Sequence, residues 1–197
     1  MEKSLVDPKG KVSNMDASQK IILYCMGVLG KPIEKRVDIQ KIIFLSNMSL
    51  PEIFEDLYTF QKHKKGPYSE RIDEDLNVLS NSGLIAGPAF NLSDTGREVY
   101  KEIDAKIEEP LKGTISDNKD FVSGLSEDEL LTFIYAVFPE FIENSEVWEK
   151  LEPNRMKYAE SMLKKEKITA SLASEIAGMN YFEFEDHLRK QKVRWKS

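Results

Sequence analysis

Residues 168–193, ITASLASEIAGMNYFEFEDHLRKQKV, decide the fold predicted for the last part of the chain. A short run with helical spacing ends at Gly178, and a second helical run begins almost at once. Glycine takes up a left-handed turn without the steric cost that a side chain adds. We therefore predict two helices, over 170–177 and 181–190, joined by a tight turn, which is the layout of a helix-turn-helix.

Small and apolar side chains are spaced so that these two helices can pack closely. Ala173 and Ala177 are small enough to let the first helix approach the second. We expect apolar residues to anchor the second helix in the core: Met179, Phe182 or Tyr181, Phe184 and Leu188. The pattern predicts a compact helical pair but does not by itself assign a function to it.

The second helix of this pair gives conflicting signals about nucleic acid. In a DNA groove, Asn180 and Glu183 would face base edges, while Arg189, Lys190 and Lys192 would meet phosphates. Three acidic residues on the same helix, Glu183, Glu185 and Asp186, would repel phosphate. Two interpretations therefore stay open, namely a pair that reads DNA and a pair that is structural or docks on a protein partner.

Residues 17–110 predict a winged-helix domain. Helical spacing occurs over 17–29, 37–47, 70–81 and 93–109, and short strands are predicted at 58–62, 84–85 and 89–92. Three helices followed by a hairpin, with a basic element close by, is the order of a winged helix. However, Asp73, Glu74 and Asp75 lie on the helix before the wing, where they would repel DNA.

The rest of the chain completes a mainly α fold with a small β wing, in which a winged helix-turn-helix is followed by a C-terminal helical domain. We predict a flexible lead-in over 1–16 and a polar linker over 111–124. The helical domain, 125–197, begins with a capping box formed by Ser126 and Glu129 and ends in the helix-turn-helix-like pair and a basic tail.

Charge is unevenly distributed in a chain whose net charge is −6. An acidic balance disfavours indiscriminate DNA coating, but it leaves room for a local basic face. Two basic runs, within 58–71 and 187–197, lie beside the two candidate DNA-binding motifs; alternatively, each is an ordinary solvated face. The predicted DNA-binding residues are Lys62, His63, Lys64, Lys65, Tyr68, Arg71, Asn180, Arg189, Lys190, Lys192, Arg194 and Lys196.

Three aromatic residues in or near these runs have more than one interpretation. His63 either touches phosphate or is an exposed loop histidine among lysines. Tyr68 follows Gly66-Pro67 and either packs the turn onto the core or stands out as a partner contact. Trp195, in the basic tail, could stack on a partner surface or on nucleic acid.

Motifs for catalysis and cofactor binding are absent from the sequence. His63 and His187 are the only histidines, and no C-x-x-C, H-E-x-x-H, phosphate-binding glycine loop or G-x-S-x-G pattern occurs. We therefore predict no metal, no cofactor and no enzymatic activity. The lone Cys25 lies in an apolar helical run and is expected to be buried and reduced.

Nothing in the chain predicts a membrane protein. The first residues lack the apolar core of a signal peptide, and no apolar run approaches the length of a membrane-spanning helix. We expect a cytoplasmic protein.

Two stretches resemble known families. The runs KGPYS (65–69), GLI (83–85) and LSDTG (92–96) resemble the Panacea domain and its winged-helix relatives, which occur in prokaryotic antitoxins and regulators. Residues 167–193 resemble the small prokaryotic helix-turn-helix antitoxin family, through Glu175-Ile176-Ala177-Gly178-Met179 and the aromatic residues that follow. The resemblances imply DNA binding and, for the second family, neutralisation of a toxin protein.

These observations lead to two hypotheses of different classes. The first is a non-enzymatic prokaryotic regulator, similar to an antitoxin or a transcription factor, that binds DNA and a toxin-like protein partner or a second copy of itself. The second is a protein–protein adaptor that uses the same two domains without touching nucleic acid, which the acidic residues on both recognition-type helices favour.

Overall fold

The computed structural model describes residues 7–87 and 89–191, which are mainly helical and include two small antiparallel sheets of two strands each. The mainly α class with a small β element is therefore confirmed. The chain divides into two compact units. Unit 1 contains the residues up to Phe60 together with Ser69–Asp120, and unit 2 contains Gln61–Tyr68 and the residues from Phe121 on.

The elements follow one another in this order: α1 (Pro8–Ser13), α2 (Ala17–Gly27), α3 (Arg36–Ser49), α4 (Pro51–Phe54), β1 (Gln61–His63), β2 (Gly66–Tyr68), α5 (Glu70–Asn81), β3 (Ile85–Ala86), β4 (Asn91–Leu92), α6 (Asp94–Asp104), α7 (Leu111–Ser123), α8 (Glu127–Val137), α9 (Trp148–Leu151), α10 (Arg155–Lys164), α11 (Ala170–Ala177) and α12 (Tyr181–Lys190). Short 3₁₀ turns follow α2, α8 and α9. None of the helices in the described residues is both long and apolar enough to cross a membrane.

The core of unit 1 is built around α2, which packs against α3, α5 and α6. Six consecutive residues of α2, Ile21–Met26, are buried, because a helix that is apolar on nearly every side has no face suited to solvent. Cys25 is fully buried, as predicted, and burial raises the pKa of its thiol to about 12.

A buried lysine closes the C-terminal end of α2. Lys119, on α7, has no exposed surface, and its Nζ donates hydrogen bonds to the carbonyl oxygens of Met26 at 2.8 Å and Val28 at 2.7 Å. The last carbonyls of a helix have no partner within the helix, so a cation that donates to them satisfies groups that would otherwise be buried without hydrogen bonds. Burial lowers the pKa of Lys119 to about 8.

The segment predicted as a linker, 111–124, is instead helix α7 over Leu111–Ser123. Its buried residues Ile115 and Val122 are seven positions apart, which places them on one helix face. This apolar face is narrow, and the polar composition of the segment together with Gly113 led to the prediction of a linker. The segment predicted as a flexible lead-in, 1–16, also contains a helix. Asp7 caps α1, and Val12 is buried.

The predicted hairpin near residue 90 is present, and its contacts explain the LSDTG run. Strands β3 and β4 pair Ile85 with Leu92, and Ser93 accepts a hydrogen bond from the backbone of Gly96 at 2.9 Å. A Cβ on Gly96 would lie 2.1 Å from the Leu84 carbonyl oxygen, so only glycine fits where α6 meets the hairpin.

The basic stretch near residue 60 differs from its prediction. The strand expected at 58–62 is β1, Gln61–His63, which pairs with β2. Both strands belong to unit 2, so this stretch is not grouped with the helices of 17–110. Tyr58 is excluded from the strand because its side chain is buried in unit 1, where its hydroxyl donates to the Ser18 carbonyl at 2.8 Å.

Unit 2 is a helical assembly in which α10 packs against α8 and α11, and α11 packs against α12. Its core contains Ala159, Met162, Leu163, Ile168, Ala173, Ile176, Ala177, Phe184 and Leu188. The predicted bounds of the last two helices, 170–177 and 181–190, are both confirmed. Gly178 has the predicted left-handed conformation, with φ of 70°.

Candidate functional site

The hairpin β1–β2 carries three of the predicted DNA-binding lysines, and each of them is paired with a carboxylate of unit 2. Lys62 bonds Glu143, Lys64 lies 2.6 Å from Glu146, and Lys65 lies 2.6 Å from Glu127. The hydrogen bond from Lys62 lowers the pKa of Glu143. The positive charge of the hairpin is therefore balanced by carboxylates that lie against it.

The two aromatic residues of the hairpin contact each other. The rings of His63 and Tyr68 have centroids 4.9 Å apart, and Tyr68 is half-buried. Between them the chain turns at Gly66, whose φ of 78° favours glycine. Next to Tyr68, the N–H of Ser69 donates to the Gln40 amide oxygen at 2.9 Å, and the Gln40 amide donates to the Ser69 carbonyl at 2.9 Å. The Ser69 side chain lies at the start of α5 but makes no cap hydrogen bond.

Arg71, predicted to act with the hairpin lysines, belongs to unit 1. Its guanidinium donates to Asp75 at 3.0 Å, to Asp16 at 2.8 Å and to the Ser18 hydroxyl at 3.1 Å. The hydrogen bond to Asp75 raises the pKa of Arg71. The Arg71 side chain thus links the start of α2 to α5. Most of its N–H groups already donate hydrogen bonds to these partners.

The predicted DNA-facing residues of α12 are also engaged within the protein. The Asn180 side chain accepts a hydrogen bond from the Glu183 backbone at 3.0 Å, so it caps the helix. Arg189 pairs with Glu185 at 3.1 Å and Lys190 pairs with Asp186 at 2.6 Å. The remaining members of the predicted set, Lys192, Arg194 and Lys196, lie outside the described residues, as does Trp195.

The first turn of α12 carries an exposed aromatic pair that the prediction assigned in part to the core. Phe182 is 79% exposed and Tyr181 is 39% exposed, while Phe184 and Leu188 are fully buried. The two rings meet edge to face, with centroids 6.0 Å apart. With 3.6 residues per turn, Phe182 points about 200° away from Phe184, so the helical period could have excluded it from the core.

A groove of about 640 Å³ adjoins this aromatic pair. Tyr181 lines it together with the end of α10 and the start of α11, including Leu163, Ile168 and Leu172. The groove therefore combines apolar side chains with the polar residues of the α10–α11 connection and the first turn of α11. Sequence reasoning missed it, because the groove is formed by three elements that are brought together only by folding.

Glu129 on α8, close to the hairpin contacts, is buried and forms an ion pair with the exposed Lys165. It accepts hydrogen bonds from the Lys165 side chain at 2.6 Å and from the Ser126 backbone at 2.6 Å, which completes the predicted capping box. Burial raises the pKa of Glu129, but the hydrogen bonds from Lys165, Ser161 and Ser126 outweigh it and lower the pKa to about 2.

The acidic and histidine side chains of residues 7–87 and 89–191 do not gather into a cluster of three that could hold a metal ion. No protein-family model and no curated protein sequence matches this chain. The resemblances to the Panacea domain and to the helix-turn-helix antitoxin family therefore stay predictions.

Proposed function

We propose that this protein is a non-enzymatic binding protein that docks on another protein through the first turn of α12 and the adjoining groove. The observation that carries the proposal is the exposure of Phe182, at 79%, next to the half-covered ring of Tyr181. Burying one large apolar side chain contributes about 1.5–3 kcal/mol, so these rings would gain substantially from a partner surface. Aromatic anchors of this kind dominate many protein interfaces.

The charge around Phe182 defines the chemistry of the partner. Glu183 is exposed beside it, and Asp186, one helical turn further along α12, is exposed as well. Acidic side chains around an aromatic anchor favour a surface that offers an apolar cleft bordered by lysine or arginine. If the antitoxin resemblance holds, that partner is a toxin protein; a second copy of the chain is a further candidate.

The ion pairs of the predicted DNA-binding residues support a protein partner over nucleic acid. Phosphate binding is driven by cations that exchange small counterions for phosphate. Here the hairpin lysines would first have to release Glu127, Glu143 and Glu146, which would then lie close to the DNA. The same difficulty applies to Arg189 and Lys190 on α12.

A DNA-binding regulator is the second candidate, and the geometry of the last two helices favours it. Helices α11 and α12 are joined by the three-residue turn Gly178–Asn180, with a left-handed glycine, as in a helix-turn-helix. The order of helices and the β3–β4 hairpin in unit 1 agree with a winged helix but do not specify one. In this candidate the basic residues exchange their carboxylates for phosphates.

The experiment is an affinity capture from native extract with the wild-type chain, Phe182→Ala and the control Val137→Ala. Val137 is another exposed apolar residue of unit 2, at 38%, and lies on a different helix. We expect a defined protein to be recovered by the wild type and by Val137→Ala, and its recovery to fall about tenfold or more for Phe182→Ala. Equal recovery by all three, or recovery of nucleic acid alone, would contradict the proposal.

A further inference from the structure

Unit 1 contains a pocket whose lining differs from the rest of this acidic protein. The pocket has a volume of about 260 Å³ and lies between the end of α2, strand β4 and helix α6. Its lining includes three cationic side chains, Lys31, Arg97 and Lys101. In a chain of net charge −6, this lining holds three cations, two of which pair with aspartates.

The floor of the pocket is apolar and rigidly built. Met26 and Leu92 are buried there, and the ring of Tyr100 forms one wall. That ring lies against Gly27, where an added Cβ would come within 2.3 Å of it, and it stacks on Tyr24 with centroids 5.8 Å apart. The aromatic wall is thus packed against α2 before any ligand arrives.

The three cations are not equally engaged. Arg97 donates to the Leu92 carbonyl at 2.7 Å and pairs with Asp94 at 2.5 Å, and Lys31 lies 3.9 Å from Asp120. Lys101 is exposed and forms no ion pair with any of the residues that the structure describes. Its ammonium group is therefore available to a ligand, while Lys31 and Arg97 already face aspartates.

The backbone beside the pocket is strained. Leu29 has φ of 63°, a left-handed conformation that is unfavourable for leucine, and its side chain is 44% exposed, so burial offers little compensation. Gly30 follows with φ of 61°. This turn brings Gly30, Lys31 and Pro32 to the pocket wall. Backbone strain of this kind gathers at ligand sites more often than elsewhere.

We infer that this pocket binds a small aromatic carboxylate, with the flat apolar body on Tyr100 and Met26 and the carboxylate beside Lys101. The volume suits a ligand smaller than those that fill pockets of about 300–1,000 Å³. The apolar floor and the cationic rim match the two parts of such a molecule. The site lies in unit 1 and does not depend on the partner contact proposed for α12.

The test is an NMR titration of the full ¹⁵N-labelled chain with benzoate, using acetate and benzamide as probes that lack the ring or the charge. We expect saturable shifts of the Gly27, Gly30 and Asn91 amides with benzoate, and about tenfold weaker binding of each other probe. Sodium chloride at equal ionic strength separates binding from a general salt effect.

The matched variants are Lys101→Gln and Lys106→Gln. Lys106 is an exposed lysine just beyond α6, outside the pocket lining, so its substitution removes the same charge from the same region. Lys101→Gln should weaken benzoate binding about tenfold, and Lys106→Gln should leave it within about twofold. Absence of saturable shifts with benzoate, equal binding of benzamide, or equal behaviour of the two variants would overturn the inference.

Discussion

The β1–β2 hairpin and the first turn of α12 are both exposed parts of unit 2, but they differ in which groups lack partners. In the hairpin, Lys62, Lys64 and Lys65 each lie against a glutamate. In α12, the ring of Phe182 is uncovered over most of its surface. The hairpin lysines are paired with glutamates within the protein, whereas α12 presents apolar surface to solvent.

A basic run in a sequence therefore need not form a basic surface in the folded protein. Exposed ion pairs contribute only about 0–1 kcal/mol each, so the hairpin pairs can be broken at small cost. They nevertheless bring a carboxylate to each lysine, and a polyanion would have to displace all three. An exposed aromatic ring has no competitor of this kind, and its burial by a partner is favourable from the outset.

We expect the largest effect at the buried cation of unit 1, Lys119, which contrasts with the exposed lysines of the hairpin. Replacing Lys119 by Met removes two hydrogen bonds and leaves the carbonyls of Met26 and Val28 buried without partners. We expect the free energy of unfolding to fall by about 3 kcal/mol, because each unsatisfied buried group costs about 1–3 kcal/mol. Urea unfolding followed by circular dichroism measures this, and a loss below about 1 kcal/mol would show that the carbonyls find other partners.

Two glutamates in the first turn of α8 provide a comparison within one helix. Glu129 is buried and bonded to Lys165, while Glu127 is paired with exposed Lys65. Glu129→Gln should lower the free energy of unfolding by about 2 kcal/mol and Glu127→Gln by less than about 1 kcal/mol. The same urea titration measures both variants. Similar losses would mean that the burial of Glu129 does not make its ion pair contribute more to stability than the pair of Glu127.

Acid titration sharpens the role of Glu129. Its pKa in the folded protein is about 2, below the ordinary value of 4.5 that it has in the unfolded chain. The unfolded state therefore binds the proton first, and the stability that Glu129 contributes is present above pH 4.5 and is lost as the pH falls toward 2. Between these values the wild type should lose more stability than Glu129→Gln. Parallel losses, from urea titrations at several pH values, would contradict this assignment.

A small effect is also expected from removing the hairpin charge altogether. The triple variant Lys62→Gln, Lys64→Gln and Lys65→Gln breaks three exposed ion pairs, which contribute little because water and salt screen exposed charges. We expect the melting temperature to fall by only a few degrees. A much larger loss would show that these pairs hold the hairpin in place.

Sequence patterns predicted the local structure of the last two helices well. Gly178 ends α11 and Phe184 and Leu188 face the core as expected, because a helix boundary and a helical period depend on neighbouring residues. The same reasoning assigned Phe182 or Tyr181 to the core, since an aromatic residue in an amphipathic helix is usually buried. Exposure of Phe182 becomes evident only when its angle to Phe184 is followed around the helix.

Properties that depend on distant parts of the chain could not be predicted in this way. The partners of the hairpin lysines come from residues 62 to 82 positions away, such as Glu127 and Glu143. The grouping of the hairpin with unit 2 and the burial of Lys119 against α2 likewise follow from tertiary packing. A sequence run gives the sign of each charge but not the carboxylate that neutralises it.

The salt dependence of DNA binding distinguishes hairpin lysines that are held by glutamates from lysines that can bind phosphate. Fluorescence anisotropy of a mixed-sequence labelled duplex is measured with the wild type and the hairpin triple variant between about 50 and 200 mM salt. We predict weak binding whose salt slope is the same for both proteins, because the lysines are already paired with Glu127, Glu143 and Glu146. Tight binding whose slope falls by about 2.7 in the variant, as expected for three lost phosphate contacts, would contradict it.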